Sequence, residues 1–336
     1  METQTVRRIA PWLTAAFCAL TALQAVTQAA AQTAGQAYPT KPIRLLVPYP
    51  PGGTSDIVAR IVSQKLTEVW GPRVVVDNRP GAGGSLGTEI ASKATPDGYT
   101  VVIGSVAPIV LNPLFYKVGY ESLRDLEPVT LAGAAPQLIV IDPSLPAKTM
   151  KDFIAYGKSK SDGLNYGTSG AGTLPHLGGE MFKIVTGVKM VHISYKGSIL
   201  AIQDLLGGRL HVVVSDMPIA LPHAKTGRLR ALAVAGSKRF ALTPDIPTAI
   251  EAGLPGFVLD NWWGLLAIKG TPQKIVGQLN AEIAKGLHQP DVKERYAALG
   301  LEAVTSTPKE FTAAIKSDLT KYMKVIKDAG IKTEQN

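Results

Sequence analysis

The sequence predicts an α/β protein of two lobes, each a mainly parallel sheet flanked by helices. Three observations lead there. Short β-branched runs alternate with helical stretches along most of the 336 residues, as parallel strands do when crossover helices cover both sheet faces. The composition, 46% hydrophobic and 18% charged, is that of an ordinary globular chain with length for about two domains. A unit of strand, glycine-rich loop and helix start occurs twice, at Leu45–Asp56 and at Leu164–Thr173, so two such units can face one another across a cleft.

The elements follow in order. Ile43–Pro48 reads as a buried strand, and Asp56–Glu68 as a helix that turns Ile57, Ala59, Ile61, Val62 and Leu66 toward the core. Val74–Asp77 is a strand, Ser85–Ala94 a helix, and Thr100–Gly104 and Gln137–Ile141 strands. Met150–Ser159, Leu177–Thr186, Ile199–Gly207 and Pro218–Thr226 read as helices, separated by strands at Leu164–Gly167, Lys189–Ile193 and Val212–Ser215 and followed by one at Ala231–Ala235. From Thr271 the pattern turns helical, at Gln273–Gly286, Asp291–Leu299 and Pro308–Ala329, with no strand of comparable strength between them. These closing helices are expected to return to the first lobe. The chain then crosses between lobes near Gln137–Pro143 and Phe257–Asn261, giving one lobe from residues 38–139 plus 260–336 and another from 140–259.

The first residues stand apart from this pattern. Arg7 and Arg8 precede an uncharged stretch that opens with Ile9, Leu13, Phe17 and Leu20 and decays into Ala29, Ala30 and Ala31. That order predicts a secretory signal peptide over residues 1–31, cleaved near Ala31, and hence an exported protein. Cys18 is the one cysteine; it would leave with the leader, and a single thiol excludes an internal disulfide and thiolate metal clusters. Lys+Arg 35 against Asp+Glu 26 gives +9, but the basic residues are scattered and form no dense stripe, which excludes a nucleic-acid footprint.

Two loops carry the chemistry. In Pro50-Pro51-Gly52-Gly53-Thr54-Ser55-Asp56 the prolines end the strand, the glycines permit close approach and positive φ, and the hydroxyls or Asp56 can cap the next helix. Ser169-Gly170-Ala171-Gly172-Thr173 repeats those donors ahead of Pro175-His176. Backbone N–H groups at a helix start hold a carboxylate or phosphate without a charged side chain; a tight βα turn is the plainer reading of either loop alone. Enzyme signatures nearly match and then fail. Gly167-Thr168-Ser169-Gly170-Ala171 lacks the last glycine of a nucleophile elbow, and Gly81-Ala82-Gly83-Gly84-Ser85-Leu86 lacks the last glycine of a dinucleotide loop. His176 and Glu180 share a helix face without a third metal ligand. Trp262-Trp263 fits a stacking platform or packing between lobes, and Arg79 is read as a loop anchor to Asp77 more than as a carboxylate clamp.

Taken together, Val47-Pro48-Tyr49-Pro50-Pro51-Gly52-Gly53, Asp77-Asn78-Arg79-Pro80-Gly81-Ala82-Gly83-Gly84, Asp97-Gly98-Tyr99-Thr100, Pro175-His176-Leu177, Tyr195-Lys196-Gly197, Asp204-Leu205-Leu206-Gly207-Gly208 and Gly270-Thr271-Pro272 resemble the Bug family, the solute-binding proteins of tripartite tricarboxylate transporters. The resemblance runs in order through the mature chain. It implies a type II-like Venus-flytrap periplasmic binding protein, a monomer with no cofactor, metal or nucleic-acid partner, that closes on a small carboxylate and hands it to the transporter's membrane subunits. A dicarboxylate, including an aromatic one such as terephthalate, is the expected ligand. Carried over by position, the resemblance nominates Tyr49, Gly52, Gly53, Thr54, Ser55 and Asp56 on the first loop and Ser169, Gly170, Ala171, Gly172, Thr173 and His176 on the second. Ser105, Ala107, Ser215 and Asp216 would complete the walls and Tyr195 would cover the ligand. Two rivals remain: an exported hydrolase using Ser169, and a soluble sensor that presents its ligand to a receptor.

Overall fold

The computed structural model describes residues 38–71, 74–331 and 333; the signal peptide expected over residues 1–31 lies outside them. Among the described residues no helix is long and apolar enough to cross a membrane. The strands are β1 (Ile43–Val47), β2 (Val74–Asn78), β3 (Thr100–Ser105), β4 (Leu126–Ile141), β5 (Leu164–Thr168), β6 (Met190–Ser194), β7 (Val212–Asp216), β8 (Arg230–Val234) and β9 (Asp260–Ile268). Helices α1 (Thr54–Trp70), α2 (Ser85–Ser92), α3 (Met150–Ser159), α4 (Leu174–Thr186), α5 (Ser198–Leu206) and α6 (Met217–Lys225) alternate with them, and α7 (Gln273–Leu287), α8 (Pro290–Ala298) and α9 (Pro308–Asp328) close the chain.

The strand order is β2-β1-β3-β9-β4-β7-β5-β6, with β8 also on β4. β1 pairs in parallel with β2 and β3, and β5 with β6 and β7. Between these two parallel groups run β4 and β9, antiparallel to each other and to their neighbours. The protein is thus a two-lobed α/β structure with helices on its sheet faces. β1 exposes little besides Arg44, and Leu45, Leu46 and Val47 are fully buried, as a strand covered on both faces requires.

β4 is much longer than the strand read over Gln137–Ile141. Its first part, Leu126–Pro136, pairs with β9, and its last part, Gln137–Ile141, pairs with β7 and β8. Pro128, Gly133 and Pro136 make that first part look like loop, because proline gives the ladder no N–H; the strand absorbs them through register shifts between Pro128 and Thr130 and between Leu131 and Gly133. β9 also escaped the sequence reading, which assigned no element between Ala235 and Gln273. Its Gly264 weakens the strand pattern for a packing reason: a Cβ there would stand 2.4 Å from the Phe311 ring of α9. Trp262 meets the same ring edge-on at 5.0 Å and donates its indole N–H to Asp318 at 2.8 Å. Among the closing helices, α7 packs on α1 and β4 and α9 packs on β4, and the buried Tyr296 donates to the carbonyl of Ala132 at 2.8 Å.

The interior is tight enough to set a clear test. Gly179 of α4 is buried, and a Cβ would stand 2.0 Å from the ring of Tyr166, itself fully buried. Gly277 of α7 is exposed and has nothing within 4 Å of an added Cβ. Gly179→Ala should destabilise by about 1–3 kcal/mol or more through overpacking, while Gly277→Ala should stabilise by roughly 0.4–1 kcal/mol through the lost entropy of the unfolded chain. Denaturant unfolding of both variants checks the pair, and equal effects would contradict this packing.

Candidate binding site

Three helices begin at one place. A cavity of about 160 Å³ is lined by the starts of α1 (Gly53, Thr54, Ser55), α4 (Thr173, Leu174) and α5 (Gly197, Ser198). Their N-cap residues, Gly53, Thr173 and Gly197, make no side-chain cap; the Thr173 hydroxyl donates instead to the carbonyl of Gly170 at 2.6 Å. First-turn N–H groups have no acceptor within their own helix, and each start carries the positive end of a helix dipole. No Lys or Arg is among the described residues that line the cavity. Its positive potential therefore comes from backbone.

The first loop is held by Asp56, which does not line the cavity. Asp56 accepts the Gly52 N–H at 2.9 Å, Arg60 Nε at 2.8 Å and Asn78 Nδ2 at 3.0 Å. Burial pushes its carboxyl up, yet the hydrogen bonds from Arg60, Gly52 and Asn78 prevail and hold it below the ordinary aspartate range. Positive φ falls at Gly52 (+81°) and not at Gly53, whose φ is −72°. Tyr49 lines the cavity but donates its hydroxyl to the Gly83 carbonyl at 2.8 Å, and burial pushes its pKa far above the tyrosine norm.

The second loop presents Ser169, whose hydroxyl has no protein partner among the described residues, while Gly170 and Ala171 line a neighbouring cavity of about 600 Å³ together with Tyr195. Tyr195 donates to Asp204 at 2.6 Å. Gly172 packs against Tyr116, where a Cβ would stand 2.6 Å from the ring. Behind the loop, His176 Nδ1 accepts the Gly172 N–H at 3.2 Å and His192 Nε2 lies 2.7 Å from the Thr168 hydroxyl. The two imidazoles stack at 4.4 Å. Neither is bonded to Ser169.

The far wall comes from strand ends. Ser105 ends β3 and Ala107 follows it, and Asp216 ends β7; Ser215 is buried beside it, donating to the Asp216 carbonyl at 3.3 Å. Asp216 Oδ1 accepts Gln137 Nε2 at 2.7 Å and Asn261 Nδ2 at 3.1 Å. Burial raises its pKa, and those donors only partly oppose the shift. The Thr54 hydroxyl approaches Asp216 without reaching hydrogen-bond geometry, and it is buried with no partner. Of the nominated residues, then, Tyr49, Gly53, Thr54, Ser55, Ser105, Ala107, Ser169, Thr173 and Asp216 line the smaller cavity, while Gly52, Asp56, Gly172, His176 and Ser215 stand behind it. Trp263, read as a stacking platform or as packing between lobes, also lines that cavity; the sequence reading did not name Asn261, Ser198, Ile199 and Leu200 as lining residues. Gly197-Ser198 before α5 repeats the glycine-then-hydroxyl helix start of the other two loops, a signal that was there to be read. Arg79 stays on Asp77 at 2.9 Å, clear of both cavities.

The stacked histidines make acid stability informative. Burial lowers the pKa of both, His192 to about 4, whereas an unfolded imidazole titrates near about 6.5. Between those values the unfolded chain takes up protons that the folded chain refuses. Stability from the pair is complete above about pH 6.5 and is lost as pH falls toward 4. Denaturant midpoints should drop across that window, and drop less in His192→Gln; an identical decline in both would contradict the assignment.

Residues 58–331 match the tripartite tricarboxylate transporter family receptor. The chain is 37% identical to BugT of Bordetella pertussis over 305 residues, 90% of this chain and 94% of BugT. Among solved structures, Rpa4515 of R. palustris with adipate superposes with a TM-score of 0.85 at 34% identity, over 88% of this chain and 99% of that one. MatC of Rhodopseudomonas palustris with bound malate gives 0.81 at 30% identity, over 86% and 100%. On these matches the chain belongs to the receptor family of the tripartite tricarboxylate transporters, with the Bug proteins among its relatives.

Proposed function

We propose that this protein is a periplasmic solute-binding protein that captures a small organic carboxylate, foremost a dicarboxylate, and delivers it to the membrane subunits of a tripartite tricarboxylate transporter. The observation that carries this reading is the convergence of three helix starts, uncapped by side chains, on one cavity lined by hydroxyls and by no cation. Fixed N–H dipoles hold a carboxylate without burying a full positive charge beside it. Relatives of the same fold are described with adipate and with malate, which supports a dicarboxylate here. Trp263 and Tyr49 in the walls also suit an aromatic ring, so terephthalate belongs on the test panel. The proposed lobes are residues 38–139 with 260–336, and 140–259, and the proposed leader is residues 1–31. The hydrolase reading loses support because His176 and His192 serve Gly172 and Thr168 and leave Ser169 without a base. A sensing role would use the same cavity, and deleting the membrane subunits separates the two: uptake would stop and signalling would persist.

A thermal-shift screen of carboxylic acids, followed by calorimetry, tests the reading. An acid at 100 times its Kd should add about 2.7 kcal/mol of stability. Ser169→Ala should then weaken binding by about 1–3 kcal/mol, because a buried anion loses a donor, whereas Arg79→Gln should leave affinity near wild type. The reverse ranking in well-folded variants would show that the carboxylate sits elsewhere.

A further inference from the structure

Asp216 is the one carboxyl among the described residues that line the smaller cavity, and no cation lines it with Asp216. Both amide donors that reach it, Gln137 Nε2 and Asn261 Nδ2, go to Oδ1. Oδ2 receives no hydrogen bond among the described residues. The groups facing Asp216 are Gln137 from β4, Asn261 from β9, Thr54 from α1 and Tyr49 from the loop after β1. Of these only Tyr49 titrates, and burial keeps its phenol neutral. An ionised Asp216 would thus be a part-buried charge with no counter-ion among the cavity's described lining, set against an anionic ligand, and such an arrangement is costly.

A neutral carboxylic acid fits the same geometry. Its carbonyl oxygen, Oδ1, takes two donors, and its hydroxyl, on Oδ2, is left to donate. Beside it the Thr54 hydroxyl, 3% exposed, also lacks a partner. We propose that Asp216 is the specificity-determining residue of the cavity, presenting Oδ2–H to the second carboxylate of a dicarboxylate whose first carboxylate is held at the helix starts. The proton comes from solvent, resides on Asp216 Oδ2 and is shared with the ligand oxygen; no covalent bond forms or breaks. Above the pKa of free Asp216 the dianion therefore binds together with a proton. This rests on the reading above that the cavity holds a carboxylate, and it adds which class of carboxylate is selected and how.

The test is calorimetry of the wild type and Asp216→Asn with malate, adipate, adipate monoamide and hexanoate, from pH 6 to 9, in two buffers of different ionisation enthalpy. Asparagine keeps an acceptor for Gln137 and Asn261 and carries a permanent donor in place of Oδ2–H. In the wild type, affinity for the bound dicarboxylate should fall by up to about tenfold per pH unit above the pKa of free Asp216, with proton uptake approaching one per ligand. At pH 6 that dicarboxylate should bind more tightly than hexanoate and, where adipate is the one bound, than its monoamide. In Asp216→Asn the affinity should stay within about threefold of wild type at pH 6 and lose its pH dependence. Wild-type binding that is flat to pH 9 without proton uptake, or a preference for the monoamide, overturns the proposal. If Asp216→Asn does not fold, the wild-type pH profile and proton count decide alone. Tight, pH-independent binding of hexanoate would remove the role of Asp216 and leave the carboxylate reading intact; binding of none of the four acids would remove both.

Discussion

The antiparallel pairing of β4 with β9 is the constraint on which the rest of the structure depends. β9 lies between β3 and β4, and β4 lies between β9 and β7, so this ladder joins the two parallel strand groups. Where it ends, β4 continues alone into the second group at Gln137. The side chains at that junction also build the site. Asn261 accepts the Val106 N–H at 3.3 Å through Oδ1 and donates through Nδ2 to Asp216 at 3.1 Å, tying the segment after β3 to the end of β7. Gln137 reaches the same carboxyl from β4. A change at this junction acts on the connection between lobes and on the cavity wall together, which explains why Asn261 is a poor surface-loop residue and a good structural one.

How far the sequence could be read follows from which interactions are local. The strand, glycine loop and helix units were legible because they rest on neighbours in sequence: β1 and α1 around Pro50–Asp56, β5 and α4 around Ser169–Thr173. Even there the helices begin nearer the loops than periodicity suggests, at Thr54 and Leu174, because apolar spacing reports the core-facing turns and is silent on a polar first turn. β9 and the first half of β4 were not legible. Their pairing is non-local, and their breakers, Pro128, Gly133, Pro136 and Gly264, are there for reasons of ladder register or of contact with α9. The repeated unit suggested two lobes facing a cleft, and the resemblance to a known family supplied their Venus-flytrap arrangement.

At the site, several nominated residues spend their side chains on protein partners. Asp56 looked like a capping or ligand group and is spent on Gly52, Arg60 and Asn78. His176 and Tyr195 likewise hold Gly172 and Asp204. A sequence motif records that a polar residue belongs at a position; it does not record which of its neighbours consumes its hydrogen bonds. Asn261 was missed for the complementary reason: it reaches the cavity from a strand that itself was not seen.

On the proposed reading, the absence of side chains at the glycines around the cleft performs two tasks at once. It bares N–H groups to an anion, and it lets segments from opposite sides of the cleft approach to backbone contact. A Cβ on Gly83 would stand 2.7 Å from the carbonyl of Ala171, one on Gly197 would stand 3.2 Å from the Pro50 ring, and one on Gly52 would stand 3.0 Å from Ile199. The glycines that expose the donors thus also permit the cleft to close over them. Closure excludes water, and in the lower dielectric each remaining N–H dipole acts more strongly on a carboxylate. A lysine or arginine placed in these loops would add charge but would need room and hydration that a closed cleft denies. On the proposed reading, binding through backbone and closing through glycine are one solution to one problem, and selectivity is left to the groups that line the cavity: the walls formed by Ile199, Leu200 and Trp263, and Asp216, the single carboxyl there among the described residues.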